Sequence, residues 1–168
     1  TAYETRFDQY DVFIDKTEPL IPRYLRLAAG ERVSVHGEVL RPLDEDAVHA
    51  LLPILDDEGV TSVAVGFLHA YANDAHERRV REILNVERPD LHVTLSSEVC
   101  PEVREYERLT TASANAYVQP LMASYLSRLK NELDTRGFAC PVFLMTSGGG
   151  VTTLDTAIRF PIRLVESG

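Results

Sequence analysis

Residues 61–68 read Thr-Ser-Val-Ala-Val-Gly-Phe-Leu, an apolar and β-branched run of strand length without a clean polar/apolar alternation. A strand with one solvated face alternates, because successive side chains point to opposite sides, so a near-continuous apolar strand has to be covered on both. Helices supply that cover, which constrains the chain to an α/β layering in which parallel strands are joined by helical crossovers. The flanks agree with this. Upstream, Asp44 can cap a helix carrying Val48, Leu51, Leu52 and Leu55 on one stripe, and Gly59 suits the position just past its end. Downstream, Asn73 can cap a second helix with His76, Val80, Ile83 and Leu84 on one face, Pro89 stops it, and residues 91–95 form the next strand. With residues 33–40 as an earlier strand, the order is βαβαβ.

Beyond that unit, residues 110–137 carry Val118, Met122, Tyr125, Leu126, Leu129 and Leu133 at helical spacing, with Gly137 as terminator. Pro120 is expected to kink this long helix or to mark its start. Residues 141–146 read as a buried strand, Ser147-Gly148-Gly149-Gly150 as a strand-to-helix turn, residues 154–159 as a short helix and 162–165 as a last strand. Residues 1–32 show no sustained period and contain Pro19 and Pro22. They read as an extended arm whose Tyr3, Phe7, Tyr10, Phe13 and Tyr24 pack against something.

Charge and cysteine usage then narrow the function classes. The 168 residues hold 17 Lys plus Arg against 26 Asp plus Glu, a formal charge of −9, and no window concentrates cations enough to neutralise a row of phosphates. Nucleic acid is therefore not an expected partner. Cys100 and Cys140 form neither a disulfide framework nor a zinc spacing, which fits reduced thiols in a cytoplasmic protein. The apolar runs fall far short of the roughly 18 residues that a membrane span takes.

Three places could carry chemistry. In the turn Ser147-Gly148-Gly149-Gly150, residues with little or no side chain would let backbone N–H groups approach an anion or a carbonyl, although neither the P-loop Lys nor GxGxxG spacing is present. A plain connecting turn is the alternative. His69, Tyr71, Asn73, His76 and Glu77 fall between a strand's carboxyl end and a helix start, where α/β folds place reacting groups; helix capping and backbone hydrogen bonds are the structural alternative. Arg104-Glu105-Tyr106-Glu107-Arg108 interleaves charges, either as a brace for the long helix or to present Arg to a carboxylate or phosphate. Metal-ligand spacing is absent, and neither Ser147 nor Ser167 sits in a GxSxG elbow, so no catalytic residue is assigned.

Taken in order, several segments resemble one family. These are Pro19-Leu20-Ile21-Pro22-Arg23, Gly37-Glu38-Val39-Leu40 with Pro42-Leu43-Asp44, and Val63-Ala64-Val65 leading to His69-Ala70-Tyr71 with Asn73, His76 and Glu77. Leu95-Ser96-Ser97-Glu98-Val99, Arg104 to Arg108, Asn115-Ala116-Tyr117 with Pro120, and Met145-Thr146-Ser147-Gly148-Gly149-Gly150 continue the pattern. Together they resemble the hydantoinase A / 5-oxoprolinase family across essentially the whole chain. The resemblance implies an actin-like, sugar-kinase-like (ribonuclease-H-like) α/β fold with mostly parallel strands. It implies ATP and Mg as cofactors, and ring opening of hydantoins or 5-oxoproline through ATP activation of the cyclic amide. A B-type subunit or domain is the implied partner. Acetone- or acetophenone-type carboxylation is the alternative chemistry, and a non-catalytic ligand-binding or interaction module is the alternative class. On this resemblance, residues 1–109 are the arm and the latter part of an amino-terminal domain. Residues 110–168 are a connecting helix and the start of the next domain. The family's two glycine-rich phosphate segments are expected to flank the chain, which would then be inactive alone. The candidate cleft comprises Ser147, Gly148, Gly149 and Gly150 together with His69, Asn73, Glu77, Glu105 and Arg108.

Overall fold

The computed structural model describes Phe13 and residues 18–165. Of the expected arm, Tyr3, Phe7 and Tyr10 lie outside the described residues, as does Ser167-Gly168. Tyr24 follows Pro22 in a single 3-10 turn and is 62% exposed, so it does not pack inward as expected.

The run 33–40 is not one strand. It folds as an antiparallel hairpin of β1 (Arg32–Val33) and β2 (Val39–Arg41). The Ser34 hydroxyl accepts from the backbone N–H groups of His36 and Glu38, and Gly37 takes φ +85, so local turn chemistry overrides the partial alternation. The next helix is split into α1 (Glu45–His49) and α2 (Leu52–Asp57), the second with Pro53 in its first turn. Asp44 accepts from Ala47 N–H at 2.9 Å, as its position predicts. At the far end Gly59 has φ +61, and Val60 donates back to Leu55 O at 2.9 Å, closing the helix with both apolar side chains on the core.

The apolar run forms β3 (Ser62–Val65), paired in parallel with β4 (His92–Leu95), and α3 (Ala75–Glu87) makes the crossover. One face of the pair and α3 enclose Val65, Val80, Ile83, Leu84, Leu91 and Leu95 together with Val48 and Leu55. Each such side chain contributes about 1.5–3 kcal/mol when fully removed from water. A one-turn helix, α4 (Ser96–Val99), follows β4 directly. The other face is covered by α5 (Glu105–Thr135), which packs on both strands. Gly66 lets it come close: a Cβ there would stand 1.9 Å from the Leu109 side chain.

Helix α5 begins five residues before the expected start at Thr110, and Pro120 neither starts nor ends it. Of the predicted stripe, Leu126 is buried and Met122 and Leu129 pack with it against Leu154 and Ala157 of the segment that follows, while ahead of the stripe the buried face is made of small and polar residues. Arg108, Ala112, Asn115, Ala116, Gln119, Ala123 and Leu126 are buried, whereas Tyr125 is 51% exposed. Small residues allow close approach, and the polar ones have partners. Asn115 Nδ2 donates to Thr94 Oγ1 and Arg159 O, both at 3.0 Å, and Thr94 Oγ1 donates to Gln119 Oε1 at 3.0 Å. Gly137, at φ +79, ends the helix as expected.

Residues 141–153 also depart from expectation. β5 (Phe143–Met145) pairs antiparallel with β6 (Val151–Thr153), and Phe143 and Met145 are 56% and 63% exposed, so this strand is not buried. Parallel pairing is thus confined to β3 and β4 among the described residues. α6 (Leu154–Arg159) follows, with Thr153 Oγ1 accepting from Thr156 N–H. Residues 161–164 form a 3-10 turn, not the expected strand, because Ile162 N–H is taken by the Asn115 side chain at 3.2 Å. Among the described residues no helix is long and apolar enough to cross a membrane.

Candidate functional site

The chain leaving the carboxyl end of β3 is held by two buried, opposite charges. Glu77, on the first turn of α3, is fully buried, and its carboxylate accepts four hydrogen bonds. Oε1 takes Phe67 N–H at 3.0 Å and the Ser96 hydroxyl at 2.6 Å; Oε2 takes Ser97 N–H at 3.0 Å and the Ser97 hydroxyl at 2.7 Å. Arg108, fully buried on α5, donates from Nη2 to Phe67 O at 2.9 Å, from Nη1 to Glu102 O at 2.7 Å and from Nε to Ser96 Oγ at 3.2 Å. Both backbone polar groups of Phe67 therefore bond to these buried side chains, and the Ser96 hydroxyl relays between them.

This geometry decides what Glu77 and Arg108 can do. Their oxygens and N–H groups are committed and inaccessible, so neither presents itself to a ligand; together they brace the loop between β3 and α3. Leaving any one of these buried donors or acceptors unpaired typically costs about 1–3 kcal/mol. Asn73 likewise ties parts together: its Nδ2 donates to Gly37 O at 2.8 Å, and its Oδ1 accepts from Ala75 N–H at 3.1 Å. It acts beside the helix start, although Asp74 holds the cap position. His76 is nearly buried and sits 2.9 Å from Glu31 Oε2.

His69 differs from all of these. It is the one non-glycine residue with positive φ among the described residues, at +60. Its buried Nδ1 has no hydrogen-bond partner, and the nearest carboxylate oxygen, Glu105 Oε1, lies 3.9 Å away. Its ring meets Tyr71 edge-on at 5.9 Å, and the Arg108 guanidinium lies 5.6 Å from the Tyr71 centroid. Arg104 pairs instead with Glu107 at the surface, at 3.4 Å, so the expected charge network around residues 104–108 splits into an exposed pair and a buried cation.

The glycine turn is a hairpin connection between β5 and β6, not a strand-to-helix turn. Ser147 N–H donates to Arg163 O at 2.9 Å, Gly149 N–H to Thr146 O at 2.9 Å and Gly150 N–H to Thr146 Oγ1 at 3.1 Å. Three of its four backbone donors are consumed internally, and the Ser147 hydroxyl also goes to Arg163 O. As placed, the turn leaves only the Gly148 N–H of its four backbone donors without one of these bonds. A depression of about 260 Å³, lined by Lys130, Asp134, Phe138, Cys140, Phe143 and Asp155, lies at the opposite end of α5 from His69. No His, Cys, Asp and Glu group among the described residues could hold a metal ion.

Sequence reasoning gave no role to Ser96 and Ser97, the hydroxyl partners of Glu77, nor to Glu31. Two adjacent serines immediately after an apolar strand were the available signal. Glu98 beside them accepts from Arg81 at 2.8 Å and Arg159 at 3.0 Å; burial raises its pKa, and the two guanidiniums outweigh that, holding the carboxyl below the ordinary glutamate value. At the surface, the hydrogen bond from Arg79 lowers the Glu45 pKa and links α1 to α3.

The family model for the hydantoinase/oxoprolinase N-terminal region matches residues 1–87, and that for hydantoinase/oxoprolinase matches residues 108–168. The caprolactamase subunit alpha of Pseudomonas jessenii is 34% identical over 160 residues, which is 95% of this chain and 23% of that protein. The crystal structure of ATP-dependent caprolactamase from the same organism superposes with a TM-score of 0.78 at 32% identity, covering 89% of this chain and 22% of that one. The nucleotide-free structure of an acetone carboxylase gives a TM-score of 0.81 at 26% identity, covering 91% of this chain and 22% of that one. The chain spans less than a quarter of the length of these relatives.

Proposed function

The chain belongs to the hydantoinase/oxoprolinase family, with the α/β fold of its actin-like relatives, and from that premise we propose that it forms part of an ATP-dependent enzyme that opens cyclic amides. The observation that carries this reading is the likeness to ATP-dependent caprolactamase, at 32% identity over 89% of the chain. Hydantoins, 5-oxoproline and related lactams are the substrate class, ATP with Mg the activating cofactor, and a B-type subunit the partner. That relative is described as a subunit alpha, which supports a partner subunit. The division of the chain at 109/110 falls within α5, so one continuous helix would join the two regions.

The internally satisfied glycine turn supports no phosphate-binding role for these residues, so nucleotide contacts are assigned to none of them. The test is ADP release by the enzyme that carries this chain, supplied with its partner subunit, ATP, Mg and hydantoin, 5-oxoproline or caprolactam. Stimulated ADP release with ring opening is expected; its absence with all three sinks the reading. A second reading, ATP-dependent carboxylation, is favoured by the TM-score of 0.81 to acetone carboxylase, and requires ketone and bicarbonate to stimulate ADP release instead.

A further inference from the structure

Backbone strain and an unpaired buried polar atom coincide at His69. A non-glycine residue at φ +60 is strained and persists only where its surroundings over-determine it. Those surroundings are the Glu77 and Arg108 bonds to the Phe67 peptide, two residues upstream, and Arg108 behind Tyr71. The backbone on one side of His69 is thus held by Glu77 and Arg108, and on the other by the bonds from Ala72 and Asn73 N–H to His69 O at 2.9 and 3.3 Å.

What it enforces is an imidazole with one nitrogen inside and one outside. Nδ1 is buried without a partner, with the Glu105 carboxylate at 3.9 Å. A quarter of the side chain remains exposed, 24%, and Nε2 is neither hydrogen-bonded nor a buried unpartnered atom, so it reaches solvent. A carboxylate on the Nδ1 side favours the tautomer that carries its proton there, leaving the Nε2 lone pair as an outward acceptor. Histidine–carboxylate contacts in ligand-free sites are often long and tighten on binding, which suits a separation just beyond hydrogen-bond length. The charged and titratable groups facing the ring are Glu105 on α5 and Tyr71 on the loop, with Arg108 behind the latter.

We propose that His69, backed by Glu105, is a ligand-binding residue whose Nε2 accepts the ring N–H of a cyclic amide at the carboxyl end of β3. The substrate class rests on the cyclic-amide reading above; the dyad itself rests on geometry alone. Within the site, Glu77 and Arg108 are positioning residues that hold His69, and Glu105 sets its tautomer.

Nitrogen-15 NMR of the imidazole in the full chain reads the dyad directly. A wild-type His69 protonated at Nδ1, shifting toward a tautomer mixture in Glu105→Gln, is expected; a ring protonated at Nε2 in the wild type overturns the proposal. Caprolactam should then move the Nε2 signal, and N-methylcaprolactam, which lacks the N–H, should not. Equal shifts with both, or none with either, overturn it as well. In the enzyme that carries this chain, His69→Gly keeps a residue that tolerates the left-handed backbone and opens space for an added imidazole. Its KM for caprolactam should rise about tenfold or more, as for a lost hydrogen bond that leaves a ligand donor unpaired, and free imidazole should recover part of it. Wild-type KM in His69→Gly, with the parent still releasing ADP on caprolactam, sinks the His69 role while leaving the enzyme reading intact. No caprolactam-stimulated ADP release in the parent sinks the enzyme reading, whereas the NMR tautomer and the lactam shifts still decide the dyad.

Discussion

Two of the connections that follow strands in this chain, those after β3 and β5, reverse the order of suggestiveness that their sequences carry. The turn after β5 has three consecutive glycines, the composition expected of a backbone that approaches an anion, yet it spends its donors on Thr146 and Arg163. The loop after β3 has a single glycine, Gly66, yet it is braced by Glu77 and Arg108 and keeps His69 in the left-handed region with its Nδ1 buried and unpaired. Glycine content permits a backbone geometry. Unpaired polar groups held in place by groups outside the loop are what make a geometry available to a ligand.

The contrast breaks most sharply at Arg108. Arg108→Met leaves the carbonyls of Phe67 and Glu102 without their buried donor and should destabilise the chain by about 1–3 kcal/mol for each acceptor left unpaired, read in urea denaturation. A loss below about 1 kcal/mol would mean that the guanidinium does not hold the loop. Ser96→Ala removes the hydroxyl relaying between Glu77 and Arg108, and should cost about 1–3 kcal/mol with weakened hydrogen-exchange protection at Phe67 N–H. Unchanged protection there would mean the loop is held some other way.

A smaller effect is expected at Glu98, beside the braced loop. Its folded pKa is depressed, so its stabilising contribution is present above the ordinary glutamate value and is lost as pH falls through that value toward the folded one. Glu98→Gln should therefore flatten the acid side of the stability-versus-pH curve; an unaltered acid limb would refute the pairing with Arg81 and Arg159. The smallest effect belongs to the glycine turn. Ser147→Ala loses one exposed hydrogen bond to Arg163 O and should stay within about 0.5 kcal/mol of wild type, with unchanged KM in the parent enzyme. A KM change there would return the turn to the functional site.

Much of the scaffold was legible because its signals are local. Asp44 capping α1, Gly59 and Gly137 in the left-handed conformation, and the parallel pairing of β3 and β4 around α3 all follow from neighbours a few residues apart or from an apolar run. The errors arose where a local pattern had two solutions. Residues 33–40 alternate like a strand but contain Ser34 and Gly37 at hairpin spacing, and residues 162–165 are apolar like a strand but lose an N–H to Asn115, which is 47 positions away. The first half of α5 carries no apolar stripe for a related reason: packing against β3 and β4 at close range favours alanine, with Asn115 and Gln119 satisfied across the gap.

By itself, then, the sequence determined the α/β layering, the helix ends and the family, since periodicity, capping and motif order are properties of the chain read along its length. Which candidate residues keep an unpaired polar atom was decided only in three dimensions. Glu77 and Arg108 became inaccessible because the fold brings them partners from 5 to 41 positions away, while the Nδ1 of His69 was left buried without a hydrogen bond, with Glu105 at 3.9 Å. A polar group's availability depends on whether the fold delivers it a partner, and that is not a property of its own sequence neighbourhood.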